Sequence, residues 1–439
     1  MYPGNFEHNL IAKIRVLMLG WEFPPQITGG LGTACYGITK SLARQNLKIL
    51  FVVPKAYGNE DRRFATIQGA GDIPSKYLGV NSTRFWGNVR IKEVNATLIP
   101  YSSPDDYENH SEKSNLAVNA MDDPEFTSFE PFSGGYGVNL WDEIVRYSFA
   151  VSLLARNENF DIIHAHDWMT FPAAISTKKI SGKPLVLHIH ATEFDRNGGD
   201  INREIYNTEK EGMELADKII TVSLYTRQIV IDKYGIHPDK VISIHNGIDK
   251  NNDHSGKRSG RETDEKVVTF LGRLTYQKGP EYFIEAAQKV LQKQKNVKFI
   301  MAGSGDMKDK IVRKVNNLGI ADQVSFPGFL NHDGINELFN RTDVFVMPSV
   351  SEPFGLSSLE ALQCKVPVIM SKQSGVSEVI KNAIKVDYWD INALSDAIYG
   401  VLNYKTLSNL LSSKGGKEVN NLRWENTGKQ ILDIYKSLL

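Results

Sequence analysis

Two cations, Arg273 and Lys278, follow the apolar run Val267–Leu271 and stand five positions apart in a loop bounded by glycines. Basic side chains placed in this way at the end of a strand can converge on one anion, and a diphosphate is the natural ligand of such a pair. Gly303 and Gly305 follow a later apolar run and form a second permissive loop at the same edge. The alternative is a solvated pair of surface cations.

A second group of chemical interest is an acidic loop that leads into a helix. Pro353 and Gly355 keep Glu352 in the loop, and the pattern predicts a helix that begins near Ser357. The free amides at its start, around residues 356–358, form an anion site. Glu360 has two interpretations, because it could contact a ligand or could form a capping box with Ser357 and only close the start of the helix.

The first apolar run, Ile14–Leu19, leads into a loop that contains Gly29, Gly30 and Gly32. Glycines let backbone amides approach a ligand closely, and the positive end of the following helix points to the same place. A plain tight turn is the alternative. The spacing does not fit the dinucleotide-binding pattern of glycines, because Cys35 stands where that pattern needs a third glycine.

Two His-x-His pairs, His164 with His166 and His188 with His190, end two apolar runs of the first half. Alternate residues of a strand share one face, so each pair could offer two imidazoles to a metal. This pattern keeps a zinc-dependent hydrolase open as a function of a different class. Histidines at strand ends are also commonly hydrogen-bonded residues of a core or its rim.

These residues need parallel strands that end at one edge, and the apolar runs predict such strands in both halves of the chain. The first half has the runs Ile14–Leu19, Ile49–Val53, Ile162–Ile163, Leu185–Ile189, Lys218–Val222 and Val241–Ile244, with a helix over Trp141–Arg156. The second half has the runs Val267–Leu271, Val297–Ala302, Val324–Phe326, Val344–Met347 and Val366–Ile369. The alternation of strands and helices predicts an α/β fold with two doubly wound parallel sheets.

Composition shifts divide the chain. Residues 1–250 form the predicted first domain, in which 57–140 is an irregular insertion with a strand near Arg90–Leu98. Residues 251–266 have no large apolar side chain and are the predicted linker. Residues 267–423 form the predicted second domain, and 424–439 the closing amphipathic helix.

The overall composition excludes several classes of protein. The chain has 439 residues with 51 basic and 51 acidic side chains, and this zero net charge argues against nucleic acid as a partner. No stretch of about 18 apolar residues could span a membrane, although peripheral contact with one stays open. The first 13 residues lack the apolar run of a secretory signal, and two cysteines cannot form a disulfide framework. We expect a cytoplasmic protein, and the sequence predicts no oligomeric state.

Taken together, these motifs resemble the retaining group 1 glycosyltransferases of the GT-B fold, in particular glycogen and starch synthases. The resemblance extends from Arg15 to about Val379, and its strongest element is the Glu-x7-Glu signature formed by Glu352 and Glu360. The supporting motifs occur in matching order: Thr-Gly-Gly-Leu at 28–31, His-Ala-His-Asp-Trp at 164–168, Asn-Gly-Ile-Asp at 246–249, Gly-Arg-Leu with Gln-Lys-Gly at 272–279, and Ser-Gly-Val-Ser-Glu at 374–378. The resemblance implies two Rossmann-like domains that face a central cleft, with the closing helix packed back on the first domain.

The resemblance also implies roles for individual residues. Arg273 and Lys278 would neutralise the donor diphosphate, His190 would stabilise the transition state beside the transferred sugar, and Glu352 would bind a hydroxyl of that sugar. Glu360 would hold the ribose. The other donor-binding residues implied are Gly29, Gly30, Leu31, Gly305, Phe354, Gly355, Leu356 and Ser357, and the candidates on the acceptor side are His166 and Asp167.

The function implied is retaining transfer of a hexose from a nucleotide-sugar to a carbohydrate acceptor. The resemblance favours glucose from ADP-glucose or UDP-glucose and elongation of an α-glucan, with no cofactor and no metal. Thr28 and the sequence at 374–378 depart from the pattern of the glycogen and starch synthases. Other α-glucosyl or mannosyl transfers, to lipopolysaccharide, exopolysaccharide, glycolipid or a disaccharide, therefore stay open.

Overall fold

The computed structural model describes residues 13–25, 29–72, 133, 137, 139–249 and 265–439. The strand predicted near Arg90–Leu98, Thr28 and most of the predicted linker lie outside the described residues. In the described part the first half of the chain forms a seven-stranded sheet in the order β3-β2-β1-β4-β5-β6-β7, and every pair is parallel. Its strands are β1 (Arg15–Leu19), β2 (Lys48–Val53), β3 (Thr66–Gly69), β4 (Ile162–His166), β5 (Leu185–Ile189), β6 (Lys218–Thr221) and β7 (Val241–Ser243).

Helices cover both faces of this sheet. They are α1 (Gly30–Arg44), α2 (Leu140–Asn157), α3 (Phe171–Ser181), α4 (Glu193–Asn197), α5 (Arg203–Leu215) and α6 (Leu224–Tyr234). Strands β4 and β5 are buried along their whole length, because both faces of a parallel sheet are covered. One apolar cluster packs α2 and α3 on one face, and another packs α1 on the other.

The second half forms a six-stranded sheet in the order β10-β9-β8-β11-β12-β13, again with every pair parallel. Its strands are β8 (Lys266–Leu271), β9 (Val297–Ala302), β10 (Val324–Gly328), β11 (Val344–Met347), β12 (Val368–Ser371) and β13 (Ile384–Val386). Its helices are α7 (Pro280–Lys293), α8 (Lys308–Asn317), α9 (His332–Arg341), α10 (Leu356–Gln363), α11 (Val376–Val379), α12 (Ile391–Asn403) and α13 (Lys405–Val419). The prediction of two doubly wound parallel sheets is confirmed.

Three predicted strand runs, at β5, β9 and β11, have the bounds that the sequence predicted. The run Val366–Ile369 is shifted, since β12 begins at Val368. Proline at 367 has no N–H to donate to a ladder, so regular pairing starts after it. Strands β3 and β13 were not predicted, because each is short and has few apolar residues.

The last helix, α14 (Trp424–Leu438), packs on the first half of the chain although it follows the second. Trp424 lies so close to Gly37 of α1 that a Cβ built on this glycine would be 2.2 Å from the indole ring. At the other end Tyr435 is fully buried, and its hydroxyl forms a hydrogen bond with Nδ1 of His164. The helix therefore completes the α1 face of the first sheet.

Candidate active site

The carboxyl ends of β8 and β11 bring Lys278 and Glu352 together. Lys278 Nζ lies 2.6 Å from Glu352 Oε2, and the two side chains are 20% and 8% exposed. Ser349 donates a second hydrogen bond to the same oxygen at 3.2 Å. Because both side chains are mostly buried but keep some exposed surface, the pair presents a cation and a carboxylate at one point of the sheet edge.

Backbone hydrogen bonds hold the loop of Glu352. Its N–H donates to the carbonyl of Gln373, and its own carbonyl accepts from Gly375, so the loop is tied to the exit of β12. Val350 donates in the same way to Gln277, next to Lys278. Gly355, at φ 108°, lies in the region that favours glycine and turns the chain into α10.

Arg273 lies in the neighbouring loop, half-buried, with Nη2 at 3.5 Å from Gln277 Oε1. This loop packs tightly on the glycines that follow β9, since a Cβ on Gly303 would lie 1.9 Å from the carbonyl oxygen of Gly272. A Cβ on Gly305 would likewise lie 2.5 Å from the carbonyl oxygen of Leu274. Both glycines therefore permit the close packing of two loops, and a donor-binding role for Gly305 stays a prediction.

The capping-box interpretation of Glu360 is wrong. Helix α10 begins at Leu356, one residue earlier than Ser357, and its N-cap is Gly355, which makes no side-chain cap. Glu360 lies in the second turn, half-buried, and burial raises the pKa of its carboxyl. The Ser358 amide donates to the Gly355 carbonyl, so it is not one of the free amides expected at this helix start.

The glycine loop of the first half faces the second domain. Helix α1 begins at Gly30, and Gly29 is its exposed N-cap in an extended conformation. A Cβ on Gly30 would lie 3.9 Å from Cδ1 of Leu356, the first residue of α10. Leu31 is half-buried against the first core. Two helix starts, one from each domain, therefore meet across the cleft.

Asp167 fixes the turn that carries His190. Its Oδ1 accepts from the amides of His190, at 2.7 Å, and Ala191, at 3.4 Å, while Oδ2 lies 3.8 Å from Arg196. Burial raises the Asp167 pKa to about 6, against the effect of Arg196. Its backbone, at φ 60° and ψ 165°, occupies a region almost confined to glycine, and such strain concentrates at functional sites.

His190 belongs to an array of four imidazoles at the carboxyl ends of β4 and β5. His166 Nδ1 and His190 Nε2 are 2.9 Å apart, and His188 Nδ1 and His164 Nε2 are 3.3 Å apart. The two hydrogen-bonded pairs stack on each other, with ring centroids 4.5 Å apart both from His164 to His166 and from His188 to His190. Burial lowers the pKa of all four rings, to about 3 for His164 and His190, so the array is neutral.

His166 has no exposed surface and lies behind His190, so it contacts that ring rather than the cleft. Asp167 is 3% exposed, with its oxygens turned to the His190 turn and Arg196. The acceptor-side roles of these two residues stay predictions. In this structure both residues position His190.

Sequence reasoning missed a set of contacts that join the two domains. The Glu378 carboxylate accepts hydrogen bonds from the amides of Leu224, at 2.9 Å, and Tyr225, at 2.6 Å, and lies 2.8 Å from His245 Nε2. Ser351, beside Glu352, donates to Asp195, and its hydroxyl is 3.0 Å from the Tyr225 hydroxyl. The motif at 374–378 was a signal for Glu378, but its partners are distant in sequence.

Comparison with known families agrees with this arrangement. The family model of glycosyl transferases group 1 matches residues 251–417, and that of glycosyltransferase family 4 matches residues 123–252. An uncharacterized glycosyltransferase of Methanocaldococcus jannaschii is 30% identical over 447 aligned positions, which cover 96% of this chain and 98% of that protein. Glycogen synthase of Mycobacterium tuberculosis is 25% identical over 399 positions, 89% of this chain and 86% of that enzyme.

Solved structures show the same architecture. Sucrose-phosphate synthase from Thermosynechococcus elongatus aligns with a TM-score of 0.69 at 18% identity, over 97% of this chain and 99% of that one. Anabaena HepE in complex with UDP and glucose aligns with a TM-score of 0.66 at 17% identity, over 97% and 100%. Within the described part of the chain, every helix is too short or too polar to cross a membrane.

Proposed function

The chain belongs to the group 1 glycosyltransferases and has their GT-B fold, and from this premise we propose that it transfers a hexose from a nucleotide-sugar to a carbohydrate acceptor with retention of the anomeric configuration. The observation that carries the proposal is the contact of Lys278 with Glu352 at 2.6 Å, at the cleft edge of the second sheet. A carboxylate holds the ammonium in place there until an anionic ligand competes for it. The pair thus combines a cation that can bind a phosphate with a carboxylate that can accept a hydrogen bond from a sugar hydroxyl.

Charge stabilisation is the main catalytic effect in this proposal. Lys278 and Arg273 neutralise the charge that grows on the leaving phosphate, and the departing phosphate oxygen takes the proton of the acceptor hydroxyl on the same face of the sugar. No covalent nucleophile is needed. Glu352 binds a hydroxyl of the transferred sugar, and His190, held neutral by burial, lies beside it as a hydrogen-bond partner.

We assign the nucleotide to the α10 side of the cleft. Glu360 holds the ribose, and the amides of Phe354, Gly355 and Leu356 bind beside the sugar. The amides at Gly30 and Leu31, at the start of α1, approach the diphosphate from the other domain. The proximity of Gly30 to Leu356, whose Cδ1 would lie 3.9 Å from a Cβ built on this glycine, supports this assignment, because both helix starts favour negative charge at the same place.

The substrates we favour are ADP-glucose or UDP-glucose as donor and an α-glucan as acceptor, with no metal or other cofactor required. The 25% identity with a glycogen synthase over most of both chains supports the acceptor, and the likeness to HepE with bound UDP and glucose supports the donor. A small acceptor is the second candidate. It is favoured by D-inositol 3-phosphate glycosyltransferase of Mycobacterium bovis, 28% identical over 299 positions.

The test is a panel of nucleotide-sugars scored for release of the nucleoside diphosphate, with glycogen, maltooligosaccharides, inositol phosphate or no acceptor. We expect release with a glucose donor that depends on a glucan, and an α-linked product by NMR. A β-linked product would contradict retention, and release with inositol phosphate alone would select the second candidate. A hydrolase that used the histidine pairs would instead lose activity with a chelator, whereas transfer should not.

A further inference from the structure

Three ligand atoms from separate elements meet beside His190. The Sγ atom of Cys35 and one ring nitrogen each of His166 and His190 all lie within 4.8 Å of one another. Cys35 comes from the buried face of α1, His166 ends β4, and His190 follows β5. One thiol and two imidazoles are a donor set typical of zinc, and the half-buried His190 opens this group to the cleft.

The surroundings favour a cation at this point. His166 Nε2 is completely buried and has no hydrogen-bond partner in the described part of the chain, so no contact at this atom fixes which nitrogen of the ring carries the proton. Burial keeps both rings neutral by lowering their pKa, and a neutral imidazole is the form that binds metals. The carboxyl groups of Asp167 and Glu22 lie close enough to Cys35 to act on its thiol electrostatically, and their negative charge would attract a metal ion.

The two imidazole nitrogens require only a small adjustment. His166 Nδ1 and His190 Nε2 are 2.9 Å apart and share a hydrogen bond. Two nitrogens at about 2.0–2.1 Å from a tetrahedral zinc ion are about 3.4 Å apart, so the rings need to separate by a few tenths of an ångström. The proton between the rings moves to the outer nitrogen of its own ring, and the thiol proton goes to solvent.

We propose that Cys35, His166 and His190 form a site for Zn²⁺ whose occupation inhibits the enzyme. Zinc binds Nε2 of His190, the nitrogen that contacts His166, and moves this ring by a few tenths of an ångström from its place beside the sugar pocket, with the fourth coordination position of the ion toward the cleft. Binding of the ion does not depend on the proposed function, whereas its inhibitory effect rests on the role of His190 in that function.

A neighbouring group, His164, His166 and His188, shares one ligand with this site but is completely buried. It lacks a thiol and an opening to the cleft, so we place the ion at the Cys35 group. Only the first assignment depends on Cys35 and only the second on His188, so substitutions of these two residues distinguish them.

The binding test uses the full chain, freed of metal with a chelator and titrated with ZnCl₂ by calorimetry, and with CoCl₂ by absorption. We expect one ion per chain and a thiolate-to-cobalt charge-transfer band in the near ultraviolet. Cys35→Ala and Cys35→Ser should each weaken zinc binding at least tenfold and abolish the band. His188→Asn should leave the band in place, and Cys364→Ala, in the second domain and half-buried, is the matched control.

The activity test follows transfer at increasing zinc. Wild type and Cys364→Ala should lose activity at stoichiometric zinc and recover it with chelator, while Cys35→Ala should keep its basal turnover and resist zinc. Wild type that binds no ion, or Cys35 variants that bind and respond like wild type, would overturn the proposal. If no transfer is found with any nucleotide-sugar, the calorimetric and cobalt data still decide on the site.

Discussion

The two domains share one architecture, but one carries charged side chains at its cleft edge and the other carries neutral ones. The edge of the second sheet keeps its charges, with Lys278 and Glu352 paired at 2.6 Å and still partly open to solvent. The edge of the first sheet is lined with four imidazoles that burial holds neutral. One edge therefore offers charge to an ionic ligand, and the other offers shape and directed hydrogen bonds.

This difference has a physical reason. A charge that is to act on a phosphate must be available when the ligand arrives, so it is best held by one countercharge at the rim. An imidazole ring that contacts an uncharged sugar can form directed hydrogen bonds best when it is held in place, neutral and shielded from water. Asp167 supplies the fixation, because its carboxylate holds the amides of His190 and Ala191 from a strained backbone conformation.

The largest effect on activity is expected when the cation at the edge of the second sheet is removed. Lys278→Ala should lower kcat for sugar transfer about 10²–10³-fold, roughly 3 kcal/mol, by analogy with the loss of one group aimed at developing charge. The measurement is steady-state release of nucleoside diphosphate. Lys289→Ala is the matched control, since Lys289 is a surface lysine bonded to Asn392, and it should keep wild-type turnover. Equal turnover in both variants would contradict the phosphate role.

One added methyl group tests the packing of α14 on α1 in the first domain. Gly37→Ala places a Cβ 2.2 Å from the Trp424 ring, and we expect a loss of about 1–3 kcal/mol in the free energy of unfolding. Gly400→Ala, in α12, has its nearest neighbour at 3.8 Å and should instead stabilise the protein by about 0.5–1 kcal/mol. Urea unfolding of both variants measures the contrast. A neutral result for Gly37→Ala would mean that α14 is not tightly seated on α1.

The contact between the two domains can be weakened without a substitution at either cleft edge. Glu378→Gln removes the charge that accepts from Leu224, Tyr225 and His245, and we expect an increase in the donor KM of roughly tenfold, for a loss of about 1–2 kcal/mol. Glu418→Gln is the matched control, because Glu418 accepts from Lys381 and Asn382 inside the second domain. Its KM should stay unchanged while its stability falls.

The smallest expected effect is the pH dependence of the neutral edge. The folded-state pKa of His188 is lowered, so its contribution to stability is present above the unfolded value of about 6.5 and is lost as pH falls below it. In zinc-free protein, His188→Asn should reduce the difference in unfolding free energy between about pH 7 and pH 5.5 by about 1 kcal/mol. His237→Asn, whose side chain is 76% exposed, is the control and should not change this difference.

Most of the architecture could be predicted from the sequence, because apolar runs such as Leu185–Ile189 and Val297–Ala302 have clear beginnings and ends. Short strands were missed where apolar residues are few, as at Thr66–Gly69. The prediction of a capping box failed for a local reason. Gly355 turns the chain one residue before the helix, so Ser357 lies inside it and cannot serve as its cap.

At the site, the sequence predicted which residues lie at each edge but not how they interact. Lys278 and Glu352 are 74 positions apart, and only the adjacent strands β8 and β11 bring them into contact. The stacking of four histidines depends on the register of β4 and β5, which pairs His166 with His188. The closure formed by Glu378 requires three partners from the other domain, which no local pattern reveals.

The seating of α14 has a consequence for the synthesis of the chain. A domain that emerges first from the ribosome usually folds first. Here one face of the first domain stays incomplete until late in synthesis, because Trp424 and Tyr435, which pack on Gly37 and His164, are translated after the whole second domain. The first core is therefore completed only when the last helix has left the ribosome, and a chain cut short before Trp424 would carry an exposed apolar face by which it could be recognised for degradation.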